Sequence, residues 1–156
     1  MDRQAEAAHS RREPPGLRDA REIARRIAAD EAEADAERTR LEHESLPVLQ
    51  LDEASVPVEL HRETVHAIRR LALLDGGAAR SIGGTLYLTS TRLLHVGDQV
   101  TTAVPLQAIT EVSVALERLL LIGLAGGLDL AIEVAKPRLL CVQVDAAVAA
   151  ASTGQV

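Results

Sequence analysis

The chain has 156 residues, enough for one ordinary domain and a tail. It contains no Phe, no Trp and a single Tyr, which excludes functions that depend on aromatic platforms: single-stranded nucleic-acid grooves, Pro-rich peptide grooves and methyl-lysine cages. The net charge of −6 is spread evenly, with 9 Arg against 12 acidic residues in 1–45 and 8 Arg and Lys against 11 acidic residues in 46–156, so neither part has the basic excess that nucleic-acid duplexes require.

The N-terminal stretch 1–16 is polar, reads as a disordered tail, and ends in Glu13-Pro14-Pro15-Gly16, a sequence expected to block helix propagation. It lacks the apolar run of a signal peptide. The longest apolar stretch, Leu119 to Leu128, falls well short of the ~20 residues that cross a bilayer. These features predict a soluble, cytoplasmic protein. Residues 17–45 contain no Gly or Pro and are rich in Ala, Arg and Glu, which predicts a charged helix supported by pairs such as Glu22 with Arg26. Its 3-4 stripe runs through Leu17, Ala20, Ala24, Ile27, Glu31, Ala34, Arg38 and Leu41. Three of the six apolar positions are Ala, which suits a solvated helix, whereas a coiled coil prefers Leu, Ile or Val. The competing reading is an arm for self-association or partner docking. Residues 46–56, with Leu46, Val48, Leu49 and Leu51, form a linker too apolar to hang free, expected to lie along the following domain.

From residue 57 the period changes from helical to alternating. Strands are expected over Glu63–Leu73 (Val65, Ala67 and Leu71 on one side), Thr85–Thr89 (Leu86 and Leu88 inward; Thr85, Tyr87 and Thr89 outward), Arg92–Val96 and Val100–Val104. Further strands are expected over Ile109–Leu116, Leu119–Leu124 and Leu128–Val134. Gly76-Gly77, Ser90-Thr91, Gly97-Asp98, Glu117-Arg118 and Gly126-Gly127 supply the turns. After Pro137, Leu140, Val144, Ala147, Val148 and Ala151 make one helical stripe that ends by Gly154. The expected fold is all-β with one C-terminal helix: about seven antiparallel strands in a split barrel over 57–152, the helix plugging its open end, preceded by the N-terminal helix.

The run Gly84-Thr85-Leu86-Tyr87-Leu88-Thr89-Ser90-Thr91-Arg92-Leu93-Leu94-His95-Val96-Gly97 resembles the core motif of pleckstrin-homology-like domains of the GRAM and bacterial type. Val104-Pro105-Leu106-Gln107-Ala108-Ile109-Thr110-Glu111-Val112 resembles that family's next element. The resemblance covers about residues 57–152 and implies a binding module, not an enzyme. Members that hold phosphoinositides carry several Lys and Arg around the first hairpin; the matching region here has Arg69, Arg70 and Arg80, and no Lys. Those three arginines are the candidate ligand-binding residues. Near an anionic bilayer they would contribute about 3 kcal/mol together, at roughly 1 kcal/mol each.

No catalytic or metal arrangement emerges, and no cofactor is implied. His61 and His66 are expected on opposite faces of a strand, and His95 as a solvated or satisfied histidine; no HExxH motif is present. Cys141, alone, forms no internal disulfide and reads as a buried structural thiol. The paired glycines around the first hairpin lack the Gly-Lys-Ser/Thr of a phosphate loop. Two functions follow: a module acting by protein–protein contact or self-association through the N-terminal helix, and a peripheral module on an anionic membrane at the inner face, reached through Arg69, Arg70 and Arg80.

Overall fold

The computed structural model describes residues 15–75 and 80–153. Helix α1 spans Pro15–Leu41, so it begins inside the Pro-Gly segment expected to block it. Proline in a first turn has no intrahelical bond to lose, and its fixed φ already suits the helix. Along α1, Arg26 pairs with Glu22 at 3.3 Å and Arg38 with Asp35 at 2.6 Å. Most of residues 1–16, the expected tail, lies outside the described residues, as do Gly76-Gly77 and Gly154.

Seven strands follow: β1 Val65–Asp75, β2 Arg80–Thr89, β3 Arg92–Gly97, β4 Thr101–Pro105, β5 Ile109–Ala115, β6 Leu119–Leu124 and β7 Leu130–Val134. Helix α2, Pro137–Ser152, closes the order. All neighbours are antiparallel, in the order β4-β3-β2-β1-β7-β6-β5. The sheet is thus two meanders joined where the long β1 pairs with both β2 and β7, and it curls into a half-barrel whose edges are β4 and β5. This architecture is compatible with a pleckstrin-homology-like fold.

Inward-facing residues of the strands (among them Leu71, Leu86, Leu88, Leu93, Leu120, Ile122, Ile132 and Val134) make one core with Leu140, Val144 and Ala147 of α2. The α2 stripe therefore fills the concave face, as its spacing predicts. A second core lies on the opposite face of β1–β3. Val65, Tyr87 and Leu94 pack there with Leu60, and the incoming segment covers them with Leu49, Leu51 and Val56. Tyr87 is buried beneath this arm, and Thr89 is buried against Glu63, whereas alternation alone points them away from the core. The arm is held by the Leu49 amide donating to the Val65 carbonyl at 2.9 Å. Val65 and Ala67, expected on one side, belong to different cores because the β1–β2 register shifts between them.

Two leucines of the expected strands lie outside them. Leu116, 79% exposed, has φ 57 in the β5–β6 turn, and Leu128, 77% exposed, precedes β7. Gly126 and Gly127, with φ 97 and 83, make the β6–β7 turn.

Candidate functional site

The three arginines singled out in the sequence do not form one patch. Consecutive residues of a strand point to opposite faces, so Arg69 and Arg70 diverge. Arg69 shares the inner face with Ala67 and Leu71 and donates to the Gln143 side chain of α2 at 2.9 Å and to the Ile68 carbonyl at 3.0 Å. Arg70 is exposed, opposite Thr85 in the register. Arg80 starts β2, paired with Asp75 at the far end of the hairpin, five positions beyond Arg70 and about 17 Å away at ~3.4 Å per residue. Its side chain lies outside the described residues.

The family-like run Thr89 to Arg92 builds a clamp. The Thr89 hydroxyl accepts from the amides of Thr91 at 3.2 Å and Arg92 at 3.0 Å, and it donates to Glu63 at 3.0 Å. Thr91 donates to the same carboxylate at 2.6 Å, and the Arg92 guanidinium grips it through Nε at 3.0 Å and a terminal nitrogen at 2.6 Å. Burial pushes the Glu63 carboxyl up, but the bonds from Arg92, Thr91 and Thr89 outweigh it and hold the group below its ordinary value. The β2–β3 turn is thereby tied to the segment entering β1. Glu63 has no special local context in the sequence; only a partner 29 residues away reveals its role.

A second polar junction joins the helices. Lys136, at the start of α2, is left-handed (φ 58) and supplies no side-chain cap. Asp30 of α1, 3% exposed, supplies one instead, accepting from the amides of Arg138 at 2.8 Å and Leu139 at 3.0 Å. Lys136 pairs with Glu33 at 2.9 Å, and Arg26 reaches Glu117 in the β5–β6 turn at 3.1 Å. The docking face of α1 runs through Ile27, Asp30, Ala34 and Leu41. Three of these stand in the expected stripe, and Asp30 takes the place of Glu31. Nothing in an acidic run marks one aspartate as a cap for a helix a hundred residues later.

Helices α1 and α2 lie parallel: Asp30 meets the start of α2, while Leu41 and Leu46 line a groove with Ala147 and Ala151 near its end. Residues 15–29 therefore have no α2 beside them, about 22 Å of helix at ~1.5 Å per residue. From Gly16 to Arg26 every residue is exposed, Leu17 and Ile23 included. Two open grooves flank the junction, of about 390 and 400 Å³. The first is lined by Arg38, Leu41, Val114, Arg138, Cys141 and Asp145. Cys141 is half-buried and its thiol is pushed up to about 11, first by burial and then by the Asp145 charge. It stays protonated at neutral pH and is a poor nucleophile.

The histidines are dispersed. His61 precedes β1 and is not on a strand; its Nε2 lies 3.0 Å from the Glu53 carbonyl. His66 Nδ1 lies 2.8 Å from the Pro47 carbonyl. Both fasten the arm. His95 is buried, not solvated: it is 2% exposed, and among the described protein groups neither ring nitrogen has a hydrogen-bond partner. Burial lowers its pKa, and the Leu71 backbone opposes this only in part, lying nearby without meeting hydrogen-bond geometry. Among the described residues no group of three His, Cys, Asp or Glu is placed to hold a metal, and no helix is long and apolar enough to cross a membrane.

Mostly β, with a curled seven-stranded half-barrel and one helix at each end of the chain, the protein belongs by architecture with small barrel-and-helix modules. No family model matches it. A search of curated proteins finds no relative. Among solved structures it is similar to the C-terminal domain of an unknown protein from Leishmania infantum, at 16% identity and TM-score 0.42 over 48% of this chain and 73% of that one. It is also similar to Inner Membrane Complex sub-compartment protein 3 from Toxoplasma gondii, at 13% identity and TM-score 0.46 over 53% of this chain and 74% of that one. These superpositions are too partial to carry an argument about activity.

Proposed function

We propose that the protein is a non-catalytic binding module of the pleckstrin-homology-like, GRAM-resembling type that works through protein–protein contact. The first half of α1 is its docking or self-association arm. The observation that carries this reading is the overhang: residues 15–26 continue α1 past the start of α2 and leave Leu17 and Ile23 exposed, at 46% and 38%. An isolated helix of this length is marginal in water, so here the docked second half holds the first half in shape. A preformed helix loses less conformational freedom on binding than a disordered segment would.

Light scattering across a concentration series, with partner capture by the wild type and by L17E/I23E, tests the reading. Both substitutions sit at exposed positions and leave the Asp30 junction intact. The reading predicts that self-association or capture is lost in the double variant; persistence would count against it. The anionic-membrane alternative has less geometric support, because Arg69 is engaged by Gln143 and Arg70 faces the other way. Salt-sensitive flotation with anionic vesicles, abolished by R70E, would put that alternative first.

A further inference from the structure

Alternation along β3 turns Leu93 and His95 inward, while Leu94 and Val96 join the outer core. His95 therefore stands in the barrel interior. Gly84 makes the room: a Cβ there would lie 2.9 Å from His95 Nε2. Leu73, Leu86, Val104 and Ile132 surround the ring, with Thr102 as the polar neighbour. The void beside it is about 10 Å³, roughly the space of one water probe. A neutral imidazole tolerates such a site at the expense of its hydrogen bonds. An imidazolium requires a hydration shell or a counter-charge, and a void of about 10 Å³ has no room for a shell.

Among the described side chains, none on the packed strands presents a counter-charge to it. Strands β2, β4 and β7 present Leu86, Thr102, Val104, Leu130 and Ile132. The inner face of β1 adds one charge, Arg69, itself cationic and bound to Gln143. Strand β4 is the edge of the sheet, five residues long and paired with β3 alone, with Thr102 directly opposite His95. Detaching β4 would therefore uncover the ring by breaking one strand pairing.

We propose that His95 is an acid-triggered latch, whose protonation releases edge strand β4 and opens the half-barrel core to solvent. The sign follows from burial. The closed form binds the proton below the ordinary imidazole pKa of about 6.5, and the open form binds it near that value. Stability is complete above that value and falls as pH drops from it toward the closed-form pKa, by up to about tenfold in the opening equilibrium per pH unit.

The test compares wild type, H95L, H61Q and H66Q from pH 7.5 to pH 5 by denaturant unfolding and amide hydrogen exchange. Wild type, H61Q and H66Q should lose stability below about pH 6.5, with faster exchange at the Thr102 and Val104 amides, which alternate on the β3 side of the edge strand. H95L should lack that slope and keep β4 protected. The same slope in H95L would overturn the proposal. Should H95L fail to fold, the ring resonances of wild-type His95 decide. Titration well below 6.5, coincident with loss of β4 protection, supports the latch, and titration near 6.5 with β4 protection unchanged refutes it.

Discussion

Glu63 gathers three donors from one turn, and its side chain is 18% exposed while that of Arg92 is 28% exposed. Bonds of this charge-assisted kind contribute about 1.5–3 kcal/mol in total when partly buried, so R92A should lower unfolding stability by that order. The carboxylate's pKa is lowered in the folded chain. Its stabilisation is therefore present above the ordinary carboxylate value of about 4.3 and is lost as pH falls through the lower folded value. E63Q should be less stable than wild type at neutral pH, and the gap should close at strongly acidic pH. Urea unfolding at the two extremes checks this, and a gap independent of pH would show that charge is not what the clamp uses. Gly84 is a different kind of residue-scale constraint. A Cβ there would meet the Val96 carbonyl oxygen at 2.3 Å, and backbone cannot step aside as a side chain can. G84A should cost about 1–3 kcal/mol or more, read as a lower thermal midpoint with faster amide exchange across β2 and β3.

At the scale of elements, α2 depends on α1 for its beginning. A left-handed Lys136 leaves the first amides of α2 without a cap from their own segment, and Asp30 provides it from across the chain. D30A should destabilise the protein by about 0.5–2 kcal/mol, the range for loss of a helix cap. It should also make α1 more susceptible to proteolysis than the barrel, because the same carboxylate is what seats α1. Uniform susceptibility of helix and barrel would indicate that the apolar contacts of Ala34 and Leu41 suffice. The two leucines that left their expected strands belong at this scale too. Leu116 and Leu128 continue an alternation in sequence, but the turns on either side of β6 claim them. Period alone does not mark where pairing stops.

Across the whole molecule, what could be read from the sequence is what repeats. Seven strands and the α2 stripe come from patterns several residues long that each bury one face, and the structure places them accordingly. What could not be read is what depends on a single distant partner. The separation of Arg69 from Arg70 is legible from strand geometry once β1 is accepted, yet the capture of Arg69 by Gln143 is not. The same holds for Glu63 with Arg92, for Asp30 with α2, and for a buried His95 whose neighbours come from four other strands. The arm was marked by its leucines, but the surface it covers was hidden by an alternation that points Tyr87 away from the main core.

Tyr87 is the only residue among Phe, Tyr and Trp in the protein, and it lies in the small core that the arm covers. In the near ultraviolet the molecule is therefore almost transparent, and what absorbs is one phenol at one known address. A partner without Tyr or Trp that lifts the arm would alter that lone signal, whereas one that seats on the overhanging helix would leave it unchanged. Without any label, the protein reports which of its surfaces has been touched.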